Sequence, residues 1–158
     1  MADIVKSGEG LTLGSPELRR NRFLLDHEQT ARRIAVVEHT IGPHVLAGPL
    51  HLHTREDEYS LVLEGRMGAL LGGEEVYVDE GDFVAKPRGE WHTFWNAGES
   101  TLRLLEIITP GGLEDLFKAF GHADGYDPQA LPALVAEYGC QVDFQGTAKI
   151  AQRLGLSF

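Results

Sequence analysis

The chain has 158 residues and carries 24 Asp and Glu against 14 Lys and Arg, a formal net charge of −10. That length accommodates one domain, and the acidic balance excludes a protein that neutralises nucleic-acid phosphates with clustered cations. Cys140 is the single cysteine, which excludes an intrachain disulfide framework and an all-thiolate metal site and leaves imidazole and carboxylate as the metal-binding chemistry.

Residues 1–31 read as an N-terminal arm of mixed character. Leu11 to Leu13 and Phe23 to Leu25 are candidate short strands. The sequence MADIVKSGEG lacks the apolar core of a signal peptide, and no stretch reaches membrane-span length, so the expectation is a soluble, cytoplasmic protein with no membrane partner. Arg19, Arg20, Arg22, Arg32 and Arg33 gather cations that read as a solvated edge, the sharper option being a subunit contact or an anionic ligand.

From residue 32 to 110 the chain reads as a run of short strands. They are Ile34 to His39, Glu58 to Leu63, Arg66 to Leu71, Glu74 to Val78, Asp82 to Lys86, Trp91 to Trp95 and Leu102 to Ile108. Glycine- and proline-rich turns separate them, and Gly72-Gly73 is a two-residue hairpin signal. Many short strands at regular spacing predict an antiparallel sandwich or barrel.

The period changes over residues 111–158, a helical tail too short to fold alone. Leu113, Leu116, Phe117 and Phe120 lie on one face of a helix. Asp127 and Pro128 are read as the start of a second helix carrying Leu131, Leu134, Val135 and Tyr138, and a third is expected from Thr147 to Leu154, stopped by Gly155. The tail offers apolar faces and no evident chemistry, and Cys140 reads as incidental.

The chemistry concentrates in the barrel. On a strand, i and i+2 share a face, so His51 and His53 project two imidazoles together. Glu58 lies an odd number of residues beyond His53, which places it on the opposite face of a continuous strand. The polar stretch Thr54 to Asp57 predicts a turn that returns Glu58 toward the histidines from the adjacent strand. His92 sits on a later strand aimed by the turn Pro87-Arg88-Gly89. His27, His39, His44 and His122 fall outside this pattern and read as surface or structural groups, His44 near the mouth of the barrel.

This pattern resembles the two motifs of the cupin superfamily, G-x5-H-x-H-x3,4-E-x6-G and G-x5-P-x-G-x2-H-x3-N. The first is met by His51, His53, Glu58 and Gly65, with Val45 where the opening glycine belongs and Gly48 as the nearest substitute for its turn. The second is met at Gly81, Pro87, Gly89, His92 and Asn96. The resemblance implies a mainly β fold, an antiparallel jelly-roll barrel with a C-terminal helical extension. By position it implies one divalent transition metal per chain on His51, His53, Glu58 and His92. Nickel, iron, manganese, cobalt, copper and zinc all suit such a donor set. It also implies a homodimer, formed through sheet edges and tails.

Strand parity places Ser60 and Val62 beside Glu58, and Phe94 beside His92, as the substrate lining. That describes a largely apolar pocket with one hydroxyl and no cation, suited to a small apolar or aromatic oxygenated molecule. The looser similarity to quercetinase-type cupins implies a dioxygenase in which Glu58 is both ligand and catalytic base. A non-catalytic metal- or ligand-binding cupin, or a metal-dependent isomerase, hydrolase or lyase on the same scaffold, remains the alternative.

Overall fold

A computed structural model of the chain describes residues 4–122 and 130–158. Strands β1 (Thr12–Gly14) and β2 (Arg19–Leu25) lead through a 3₁₀ turn at His27–Thr30 into β3 (Ala35–Ile41) and β4 (Leu50–His53). Then follow β5 (Asp57–Glu64), β6 (Arg66–Leu71), β7 (Glu74–Asp79), β8 (Phe83–Lys86), β9 (His92–Asn96) and β10 (Leu102–Thr109). The tail holds α1 (Glu114–His122), α2 (Leu131–Glu137), β11 (Cys140–Asp143) and α3 (Phe144–Leu154). The Asp127–Pro128 helix start lies outside the described residues.

The strands form two antiparallel sheets. One has six strands in the order β1-β2-β3-β10-β5-β8, the other five in the order β11-β4-β9-β6-β7. Strand β2 is longer than the sequence signal at Phe23 to Leu25, because its arginines pair with β3 and Arg22 bridges to Glu38. Strand β11 carries no apolar pattern of its own; pairing with β4 along its whole length makes it a strand. Helix α3 starts three residues before Thr147 because Asp143 caps it, accepting from the Gly146 N–H.

Inward residues of the two sheets form the interior. Along β10 they run Leu102, Leu104, Glu106 and Ile108, all essentially inaccessible, while Arg103, Leu105 and Ile107 face outward. Leu102 and Leu104 join Ile41, Val62, Met67 and Phe94 in one apolar cluster. Ile108 joins a second with Phe23, Ala35 and Val37, where Leu113, Leu116 and Val135 of the tail pack between the sheets. The tail therefore plugs its own barrel. Helix α3 covers the outer face of the five-stranded sheet, where Ile150 packs with Leu46 and Trp95.

Two glycines are dictated by close approach. A Cβ on Gly65, at φ +84, would stand 2.7 Å from the Thr101 carbonyl oxygen. A Cβ on Gly68 would stand 2.3 Å from the Trp95 indole, so the ring lies flat across the strand. Gly48 stands at a bend just ahead of β4 without a left-handed backbone; the left-handed residue on that approach is His44, at φ 55.

Candidate metal centre

The register of β4 against β9 sets His51 opposite His92, and His53 follows two residues on, on the same face. Glu58 arrives differently from the expectation. Strand β5 belongs to the six-stranded sheet, so Glu58 faces the histidines across the interior and not from an adjacent strand. Nε2 of His51 lies 3.1 Å from Nε2 of His53, and Oε2 of Glu58 lies 3.3 Å from Nε2 of both His53 and His92. One donor atom from each of the four residues falls within 4.8 Å of the others.

The far nitrogen of each ring is held. His51 Nδ1–H donates to the Pro49 carbonyl at 2.6 Å, and His92 Nδ1–H to the Glu90 carbonyl at 3.0 Å. His53 Nδ1–H points at Cys140 Sγ at 3.2 Å, and that thiol in turn lies 3.9 Å from the Tyr138 carbonyl. Fixing Nδ1–H leaves Nε2 to ligate, which is how imidazole ligands are oriented by their outer partners. Donors about 2.0–2.1 Å from one ion and at right angles across it lie about 3 Å apart, matching the His51–His53 separation. Three nitrogens and one carboxylate at these spacings fit a divalent transition metal.

Cys140 is thus not incidental. It comes from β11, paired residue for residue with His53, and it brings the tail, which offered no evident chemistry, to the metal centre.

Ser60, Val62 and Phe94 supply no cation, yet the cavity lining includes Arg19, and Lys86 is buried beside the cluster without lining the cavity. Lys86, opposite Glu58 in the β5–β8 register, places Nζ 3.4 Å from Glu58 Oε2 and 2.8 Å from Glu106 Oε2. Ser60 is inward as expected but donates to Glu106 at 2.9 Å. Val62 packs into the apolar cluster rather than lining the cavity, whereas Phe94 does line it. Glu106 Oε1 is buried and has no hydrogen-bond partner among the described residues.

Electrostatics separate these groups. Burial would raise the Glu58 carboxyl, but Lys86 and His53 hold it well below the usual carboxylate range. Burial raises the Glu106 carboxyl to about 7 against the pull of Lys86. Burial and the neighbouring His92 and His53 hold His51 well below the usual imidazole range, and burial lowers His92. Burial opposes charge on His53 also, yet the Glu58 carboxylate lifts it to about 10.

Above the cluster opens a cavity of about 380 Å³. Its floor includes His51, His53, Glu58 and Glu106, and its walls include Phe94, Leu116, Phe117 and Phe120. His39, expected to be a surface or structural group, is buried and also lines it. His44 is half exposed and pairs with Glu99 at 3.1 Å, away from the cavity lining. His27 is structural: it bonds the fully buried Glu114, which also accepts from the Gly112 N–H. The neighbouring Asp26 and Asp115 hold the Lys118 ammonium.

Two antiparallel sheets closed over an inward His/Glu cluster define a cupin-type barrel. A family model described as a cupin domain matches residues 37–108, a stretch that holds all four residues of the cluster. It is 45% identical over 69 residues to Oxidoreductase iacF of Pestalotiopsis fici, covering 40% of this chain and 34% of that one. It is 28% identical over 122 residues to Quercetin 2,3-dioxygenase of Bacillus subtilis, covering 68% of this chain and 36% of that one. The chain thus spans about a third of the length of these curated relatives. Among solved structures, the polyketide cyclase RemF from Streptomyces resistomycificus superposes with a TM-score of 0.59 at 30% identity, covering 69% of this chain and 80% of that one. No helix among the described residues is long and apolar enough to cross a membrane.

Proposed function

We propose that this chain is a metal-dependent cupin dioxygenase acting on a small aromatic or otherwise apolar oxygenated molecule. The observation that carries the reading is the position of the His51, His53, Glu58 and His92 cluster at the floor of a cavity walled by aromatic and aliphatic side chains. The similarity to Quercetin 2,3-dioxygenase over 68% of the chain supports the same reaction class.

A divalent ion held by these four residues would supply Lewis acidity toward an enol or phenol oxygen and a route for dioxygen chemistry. The protein's part follows from the geometry. Phe94 and the tail residues Leu116, Phe117 and Phe120 exclude water and hold a flat ring over the cluster. Glu58 takes the proton of the substrate hydroxyl. Lys86, within reach of both carboxylates, passes a proton to Glu106 as it receives one from Glu58. Glu106 stores it, its carboxyl already poised near neutrality by burial.

The purified chain is loaded with nickel, iron, manganese or cobalt in turn, and oxygen uptake is followed with a flavonol and with simpler enediol and diketone compounds. The expected result is uptake with at least one pairing, abolished in Glu58→Ala and His92→Ala. Stoichiometric metal binding without turnover across that panel sinks the dioxygenase reading.

A second reading, a non-oxidative cyclisation or dehydration, is favoured by the likeness to the polyketide cyclase RemF and by the Lys86–Glu106 proton path, which needs no oxidant. Turnover that continues without oxygen selects it.

A further inference from the structure

His39 lies outside the ligand cluster, on the inner face of β3, and lines the same cavity. It is buried, with 7% of its surface exposed. Two rings flank it: Phe94, with centroids 6.3 Å apart, and Phe117 of α1, edge-on at 5.4 Å. Its Nδ1 lies 2.7 Å from Oδ1 of Asn21, the residue directly across the β2–β3 register. Nε2 has no hydrogen-bond partner among the described residues. Aromatic packing and the Asn21 bond fix both the ring and its tautomer, so the nitrogen left over is an acceptor without a donor. A polar group so placed on an apolar cavity wall calls for a complementary group on the occupant.

We propose that His39, oriented by Asn21, is a specificity-determining residue that accepts a hydrogen bond from a hydroxyl of the substrate, remote from the oxygen that faces the metal ligands. The inference rests on the aromatic reading of the cavity and sharpens it: the substrate class becomes a flat aromatic with at least two oxygen functions, one directed at the cluster and one, a hydroxyl, at β3. The tautomer decides the chemistry. With Nδ1–H given to Asn21, Nε2 accepts only, so a carbonyl, an ether or a carboxylate gains nothing there while a hydroxyl does. Burial reinforces this by holding the His39 imidazole neutral, at about 4.

The test is a binding cycle on the full chain loaded with Zn²⁺, which is redox-inert and separates binding from turnover. The probes are unsubstituted flavonol and its derivatives with one added ring hydroxyl, titrated by fluorescence or calorimetry. For the wild type, at least one derivative is expected to bind about 3- to 10-fold tighter than the parent, the span of one neutral hydrogen bond. In His39→Leu and in Asn21→Leu that preference, read as the ratio of derivative to parent affinity, falls to within about twofold. His39→Gln, which retains an acceptor, restores part of it. A preference that survives in His39→Leu, or an equal loss for parent and derivative, overturns the inference and leaves the aromatic reading standing. The same holds if no derivative exceeds the parent in the wild type. Failure of the parent flavonol to bind overturns the aromatic reading and this inference together.

Discussion

Lys86→Met removes the cation shared by two buried carboxylates and keeps most of the side-chain length. At an effective dielectric of about 20, a charge pair at 2.8 Å is worth about 6 kcal/mol and one at 3.4 Å about 5 kcal/mol. Desolvation of three ions consumes most of that, so the net is smaller. Breaking a buried pair by removing one partner costs about 3–5 kcal/mol, because the remaining charge is left uncompensated. That is the loss expected for Lys86→Met at pH 8, read from urea denaturation of the metal-free protein. The deficit shrinks toward pH 5.5, since Glu106 is raised to about 7 even beside Lys86 and neutralises readily without it. The double variant Lys86→Met/Glu106→Gln removes the orphaned charge while keeping the acceptor for Ser60, and is expected to recover at least half of the loss. A single-variant loss below about 1 kcal/mol, or a double variant no more stable than the single, would refute the reasoning.

His39 at about 4 in the folded chain titrates near 6.5 when unfolded, so protonation favours the unfolded chain. The stability it confers is complete above pH 6.5 and is lost as the pH falls toward 4, with a ceiling of about 3 kcal/mol. The stability gap between wild type and His39→Gln, followed by denaturant melts from pH 7 to 4.5, is expected to narrow accordingly; parallel curves assign the acid loss to other groups. Cys140→Val deprives His53 of its Nδ1 partner and is expected to weaken metal binding about 10- to 100-fold in a chelator competition, with Cys140→Ser between it and the wild type. Equal affinities for all three mean that the thiol does not orient the ring. Gly68→Ala drives a methyl into Trp95 and is expected to cost about 1–3 kcal/mol, a fall of about 2–10 °C in Tm. An unchanged melt and unchanged indole emission would show that Trp95 moves aside freely.

The four candidate ligands are legible in the sequence because their spacing encodes geometry. The i, i+2 histidines declare a common strand face, and the motif glycines, such as Gly65, declare the turns that bring strands back. Lys86 and Glu106 are not legible in that way. Each lies on a strand the sequence identifies, but their meeting with Glu58 and Ser60 depends on the β5–β8 and β5–β10 registers, which no local pattern carries. Along β10 both alternating sets, Leu102-Leu104-Glu106-Ile108 and Arg103-Leu105-Ile107, are apolar with one charge, so parity cannot choose the inner face. Cys140 was hidden for a related reason. Its strand, Cys-Gln-Val-Asp, has little intrinsic β preference, and only docking against β4 gives the thiol a histidine to meet.

That docking sets an order of events during synthesis. His51 and His53 leave the ribosome early, yet the thiol that steadies His53 lies 87 residues further along the chain. At a translation rate of about 5–20 residues per second, a nascent barrel spends several seconds with three histidines in place and one of them unsupported. A cation captured in that interval meets a looser cradle than the finished one.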